Sequence, residues 1–300
     1  MIVYLKLLST AFFWGGTFIA GRIVSRDMDP YAAAFLRFSI ASIFLLGYIY
    51  IREGRLPGLN GKQAFAVVLL GLTGVFAYNV LFFSGLKTVV AGRASLIIAL
   101  NPIAISLLSS IIYKERLTVL KLLGICLSVS GAMVVITNGN LLSILDNPVG
   151  IGELMIFGCV ASWVTYSLIG KTVMSDLSPL VSVGYSAVAG TLALAVPAFH
   201  QGLLGSLAHY SFYEWSSLFY LGFFGTVLGF FWYYEGINIV GPMKSSVFIN
   251  FVPVSAIVLA FLILGEPITL FLITGATLVI CGVLLTHFSG YIIAHLKSAA

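Results

Sequence analysis

Charge is what this sequence has least of. Only 8% of its 300 residues are Asp, Glu, Lys or Arg, about a third of the share in a soluble domain, which excludes a globular surface built to face water. Catalytic groups are as scarce. There is no His-Glu-x-x-His, no pair of aspartates inside an apolar run and no Ser/His combination at depth. His200, His209, His287 and His295 stand at or beyond the ends of apolar runs. No enzyme is expected. A glycine-rich phosphate loop is missing as well, so nothing in the chain would hold ATP, and no cofactor is implied. Cys126, Cys159 and Cys281 lie inside apolar segments without metal-ligand spacing. They read as small packing residues, with no metal site and no disulfide framework. The net charge of +5 sits on the flanks of apolar runs, where it reports orientation and not nucleic-acid binding.

What the chain does have is apolar length. Hydrophobic residues make up 60% of it, in runs long enough for a bilayer, which takes about 20 residues of helix. Ten spans are expected, at 3–23, 31–51, 63–84, 89–113, 118–137, 150–171, 179–199, 214–236, 241–264 and 268–288. The first is not read as a cleaved signal peptide, because it carries Lys6 and has no small-residue cleavage site. Pro30 and Pro179 open the second and seventh spans, where a missing N–H does no harm. The expectation is an all-α integral membrane protein in contact with lipid and with no separate soluble domain.

The same unit is written twice. Gly222, Gly236, Ser246, Pro253, Glu266, Thr269, Gly275 and Gly282 each have a twin 151 residues earlier: Gly71, Gly85, Ser95, Pro102, Glu115, Thr118, Gly124 and Gly131. Nearer the start the offset is 149, which matches Trp14, Gly21, Asp27 and Pro30 with Trp163, Gly170, Asp176 and Pro179. The chain therefore divides into residues 3–137 and 150–288, five spans each. With the N-terminus in the cytoplasm, ten Lys and Arg flank the inner side (Lys6 and Lys297 among them). Four, Arg22, Arg26, Lys87 and Arg93, flank the outer side. That bias places both termini inside. Five being odd, the second copy then lies upside down relative to the first. Inverted repeats of this kind are typical of secondary transporters.

Trp14-Gly-Gly, the Gly-x-x-x-Ser…Asn-x-x-Pro pattern over 241–253, and Gly265-Glu-Pro-Ile-Thr followed by Gly275 and Gly282 resemble the drug/metabolite transporter superfamily, in its EamA branch of paired five-helix units. The resemblance spans residues 4–288. It implies a bacterial inner-membrane exporter of amino acids and other small metabolites. Lys114-Glu115-Arg116 departs from the second copy's Gly265-Glu266-Pro267, so the copies are no longer interchangeable. Rival readings are a nucleotide-sugar or other phosphorylated-metabolite carrier, a membrane-embedded lipid enzyme and a non-transporting scaffold. Oligomeric state is open, a homodimer included.

Several residues are candidates for a substrate site. Trp14 and Trp163 lie ten or more residues into their helices, near mid-bilayer. Tryptophans that anchor a helix sit at the interfaces, so these two read either as helix packing or as facing walls of a central cavity. Arg37 is costly inside a span and marks either a water-filled interior or a side chain that snorkels out. Arg93 and Lys244 are twins in the first turns of the fourth and ninth spans, placed to draw a carboxylate towards a helix N-terminus; positive-inside flanking is the alternative, which suits Lys244 and runs the wrong way for Arg93. Tyr78, Asn79, Tyr166, Tyr185 and Asn250 add polar groups at depth, and interhelical hydrogen bonding is the alternative for them. Glu235, whose twin is Ser84, is the candidate for proton coupling if transport is proton-coupled, with snorkelling to the cytoplasmic face as the alternative. Pro102, Glu115, Pro253 and Glu266 read as structural, and Gly124/Gly131 and Gly275/Gly282 as close helix contacts.

Overall fold

The computed structural model describes residues 2–101, 103–105, 108, 119–137, 139–140, 149–174, 176–240, 245, 248–249 and 251–299. Among these there are helices and no strand. Six helices are long and apolar enough to cross a membrane. They are α1 (Ile2–Asp27), α2 (Pro30–Glu53), α3 (Gly61–Leu86), α6 (Ile151–Val173), α7 (Pro179–His200) and α8 (Phe212–Gly236, continuing to Val240). Shorter apolar stretches belong to α4 (Ala91–Ile98), α5 (Val119–Ile136), α9 (Phe251–Leu264) and α10 (Leu270–Ala299).

Local chemistry sets most of the ends. Asp29 accepts from the Tyr31 N–H at 2.9 Å and from that of Ala32 just ahead of Pro30, and α2 ends at Gly54 in the left-handed region. Ser178 caps α7 in the same way, followed by Pro179. A reciprocal Ser211/Glu214 capping box starts α8, two residues earlier than the apolar run alone indicates. The connection before it is not plain loop, since Leu203–Ser206 is a turn of α-helix and Leu207–His209 a 3₁₀ turn. At the other end α10 continues to Ala299, past the expected 288, because Tyr291–Leu296 is again apolar and free of helix breakers.

Twin residues meet one another across the molecule. Ser42 and Thr191, 149 apart, bring their hydroxyls to 3.2 Å, while Gly184 faces Ile49. Numbering falls along α7 as it rises along α2, so the two helices are antiparallel. On α5 and α10, Ser128 Oγ donates to the carbonyl of Val279, its twin, at 3.1 Å. A Cβ on Gly131 would come 2.7 Å from the Gly275 carbonyl oxygen, and one on Gly282 would strike Gly124. These helices too are antiparallel, and their glycines allow backbone contact. Reciprocity extends further: Gly71 abuts Ser186 and Ala189, and Gly222 abuts their twins Arg37 and Ile40. Contacts repeated as i with j and j with i are the mark of a two-fold relation.

The two halves also share an irregularity. Within α3, Gly71–Ala77 widens into π-helix, and within α8 Tyr220–Leu228 does the same over the twin positions. The principal buried core joins α1, α2, α3, α4, α6, α7, α8 and α9. A smaller core joins α5 and α10 to Leu96, Ala99 and Ile103.

Candidate functional site

The centre of the principal core is aromatic. Trp14 and Trp163 meet edge to face with ring centroids 5.8 Å apart. Phe230 packs against both indoles, Tyr233 against Trp14, and Tyr78 and Tyr166 against Trp163. Trp14 Nε1 donates to the Gly225 carbonyl at 2.9 Å. A π-helical turn spaces its hydrogen bonds five residues apart and leaves carbonyls free for side chains, and the twin π segments use this in the same manner. Thr226 Oγ1 donates to Leu221 O at 3.0 Å, five residues back, and Asn79 Nδ2 donates to Gly74 O at 3.3 Å, also five back, and to Val75 O.

Those two anchored side chains hold Arg37. Its Nη1 donates to Asn79 Oδ1 at 2.8 Å, and Nε and Nη2 donate to Thr226 Oγ1 at 3.2 Å. The residue is 3% exposed and does not snorkel to the surface. Gly222 permits this arrangement, since a Cβ there would come 2.8 Å from the Arg37 carbonyl oxygen and push α8 off α2. A cavity of about 50 Å³ opens beside the guanidinium, between Trp14, Thr17, Tyr78, Asn79, Asn101, Trp163 and Phe230. Asn101 is 3% exposed and its Oδ1 has no partner among the described residues.

The structure thus gathers Trp14, Trp163, Arg37, Tyr78 and Asn79 around one hollow, with Tyr166 stacked behind Trp163. It does not bring every candidate there. Arg93 pairs with Glu153 at 3.0 Å. Glu235 pairs with Lys6 at 2.7 Å. Tyr185 donates its hydroxyl to the Pro57 carbonyl at 2.7 Å. Glu266 takes a structural place, but on α4 rather than on the helix that follows it. Its carboxylate accepts from the Ala91 and Gly92 N–H groups, while Thr269 caps α10. Pro253 is buried in α9. Lys244, Asn250, Pro102 and Glu115 lie outside the described residues.

The two ion pairs stand at opposite ends of the hollow. Phe18 packs on Phe82 and Arg22 donates to the Leu86 carbonyl, so α1 and α3 run parallel; Gly85 meets Ile156 and Gly74 meets Tyr166, so α3 and α6 run antiparallel. The N-termini of α1 and α6 therefore point opposite ways, and Lys6 and Glu153 sit near them.

Sequence reasoning missed Thr226 and Phe230 as site residues. A signal was present in the repeat itself. Arg37, Asn79 and Thr226 stand where the other copy has Ser186, Phe230 and Val75: the clamp is polar where the symmetry is broken.

Known proteins place the chain. A model described as the EamA-like transporter family matches residues 1–137 and again 150–288. A Bacillus subtilis protein named as an uncharacterized transporter, YyaM, is 33% identical over 94% of this chain and 92% of its own length. One from Archaeoglobus fulgidus, also named as an uncharacterized transporter, is 31% identical over 93% and 96%. A solved crystal structure at 19% identity shares the fold, with TM-score 0.68 over 95% of this chain and 98% of that one. The chain belongs to the EamA-like family of the drug/metabolite transporter superfamily, and is a multi-pass membrane transporter rather than an enzyme.

Proposed function

We propose that the protein exports small metabolites, amino acids or related compounds, across a bacterial inner membrane by alternating access. It does so with ten spans arranged as two inverted five-helix units and with both termini in the cytoplasm. The observation that carries this reading is the set of antiparallel twin contacts, Ser42 with Thr191 and Ser128 with Val279, around a cavity walled by Trp14 and Trp163. Twin helices that touch antiparallel are related by an axis across the helices, which lies in the membrane plane. A central site on that axis can be opened from either end by the same motion. The rival carrier of phosphorylated metabolites needs several cations at the site. Arg37 is there, while Arg93 is neutralised by Glu153.

Counterflow into proteoliposomes, with a panel of amino acids, organic acids, purines and nucleotide sugars, tests the reading. Trans-stimulated uptake of at least one small metabolite is expected. No trans-stimulation by any member, with the protein correctly inserted, counts against it.

A further inference from the structure

We propose that the cavity takes an organic carboxylate with a planar apolar body and no ammonium group. The inference rests on the exporter reading and, within its small metabolites, puts carboxylates without an ammonium group in place of amino acids. Among the described residues Arg37 is the charged one in the cavity wall, and its hydrogen-bond partners, Asn79 and Thr226, are neutral. Three of its N–H groups are used in those bonds, out of about five that a guanidinium carries, which leaves donors for a ligand. A buried cation without a counter-ion is costly, and an anion arriving beside it is correspondingly favoured.

Among the described residues no carboxylate takes that place. Ten acidic residues exist in the whole sequence. The eight that are described lie at or near helix ends or in connections. Glu235, paired with Lys6, is nine residues beyond Thr226 on α8, roughly 13 Å along it. Glu153, paired with Arg93, is ten residues before Trp163 on α6, roughly 15 Å away. Glu115 and Asp146 lie outside the described residues; the first is 14 positions past Asn101 in sequence, and the second falls between the two repeats.

The chemistry follows from that inventory. A ligand carboxylate meets the free edge of Arg37, and the amide of Asn101, which lines the same cavity, can donate a second contact. An ammonium on the same ligand would be buried with neutral acceptors alone and beside a like charge. The body of the ligand would lie against the indoles and Tyr78, a wall suited to planar apolar groups. The present volume of about 50 Å³ admits a head group, and opening at one end must supply room for the rest.

Equilibrium binding of radiolabelled phenylacetate to the purified protein in nanodiscs, competed by phenylacetamide and by phenylalanine, tests this on the unmodified chain. Phenylacetate should outbind the neutral amide and the zwitterion by about tenfold or more, as a charge-assisted bidentate contact implies. Arg37→Gln should reduce the preference over the amide to within about threefold, and Arg37→Lys should retain part of it. Equal binding of the amide, tighter binding of the amino acid, or no binding of phenylacetate would each overturn the inference. In any of those cases counterflow of the neutral and zwitterionic compounds judges the exporter reading separately.

Discussion

Ser42 on α2 and Thr191 on α7 hold the same position in the two halves, and their hydroxyl oxygens lie 3.2 Å apart. A residue can touch its own twin only on the symmetry axis. With Cys126, Cys159 and Cys281 replaced by serine or alanine, Ser42→Cys with Thr191→Cys should cross-link within one chain on mild oxidation. The link is read by cleaving the protein between the halves and asking whether the fragments stay joined. A cysteine one residue along, at Ile43, is 71% exposed and should not cross-link. Joining of Ile43→Cys with Thr191→Cys, and none of the twin pair, would put the axis elsewhere.

The ion pairs predict opposite effects at opposite ends. Lys6–Glu235 ties α1 to α8 at one end, and Arg93–Glu153 ties α4 to α6 at the other. Each is partly exposed, so each stabilises the fold by no more than about 1 kcal/mol; their influence is on which end opens. A cysteine at Thr17, inside the cavity, should become several-fold more reactive to an impermeant thiol reagent from the Lys6 end in Glu235→Gln. Arg93→Gln should do the same from the opposite end. If a pH gradient drives uptake, Glu235→Gln should also lose the gradient dependence while keeping exchange. Changes of the same sign at both ends would show that the pairs are braces without direction.

The ion pairs also show where sequence reading stops. Gly, Pro and Thr landmarks carry the duplication because a close contact, a helix start or a cap admits few residue types. The depth of Trp14 and Trp163 follows from counting along an apolar run. Which faces of those helices meet does not. Glu235 and Arg93 look unpaired in sequence because Lys6 and Glu153 stand 229 and 60 residues away, and an all-round apolar helix has no periodicity to say what lies beside it. Thr226 was hidden for another reason. It reads as a helix-compatible hydroxyl, and only the π-helical turn after Gly222 aims it at Arg37.

Glu266 gives a stability prediction. It accepts from the Ala91 and Gly92 N–H groups at the start of α4, and Arg22 donates to the Leu86 carbonyl at the end of α3. A carboxylate at a helix start and a guanidinium at a helix end both complement the dipoles. Glu266→Ala should cost about 1 kcal/mol, seen as a melting temperature a few degrees lower, with substrate preference unchanged. A changed preference at unchanged stability would move Glu266 from scaffold to site.

The tryptophans are twins in position but not in bonding. Trp14 Nε1 donates to Gly225 O, whereas the Trp163 indole N–H has no partner among the described residues. Removing either ring takes away a wall of the cavity, so Trp14→Ala and Trp163→Ala should each lower counterflow by about tenfold or more at normal membrane abundance. Insertion should survive because the spans stay apolar. Phenylalanine separates the two residues. Trp163→Phe keeps a ring and loses no hydrogen bond to the described residues, so its transport should stay within about threefold of the unmodified protein. Trp14→Phe keeps a ring but frees the Gly225 carbonyl in the π-helical turn, and an unpaired buried carbonyl costs about 1–3 kcal/mol. It also loosens the turn that presents Thr226 to Arg37. Trp14→Phe should therefore lose both transport and the preference for a carboxylate over its amide. Equal behaviour of the two phenylalanine variants would mean that the Trp14 bond contributes nothing to the clamp, and normal counterflow in both alanine variants would place the substrate away from this hollow.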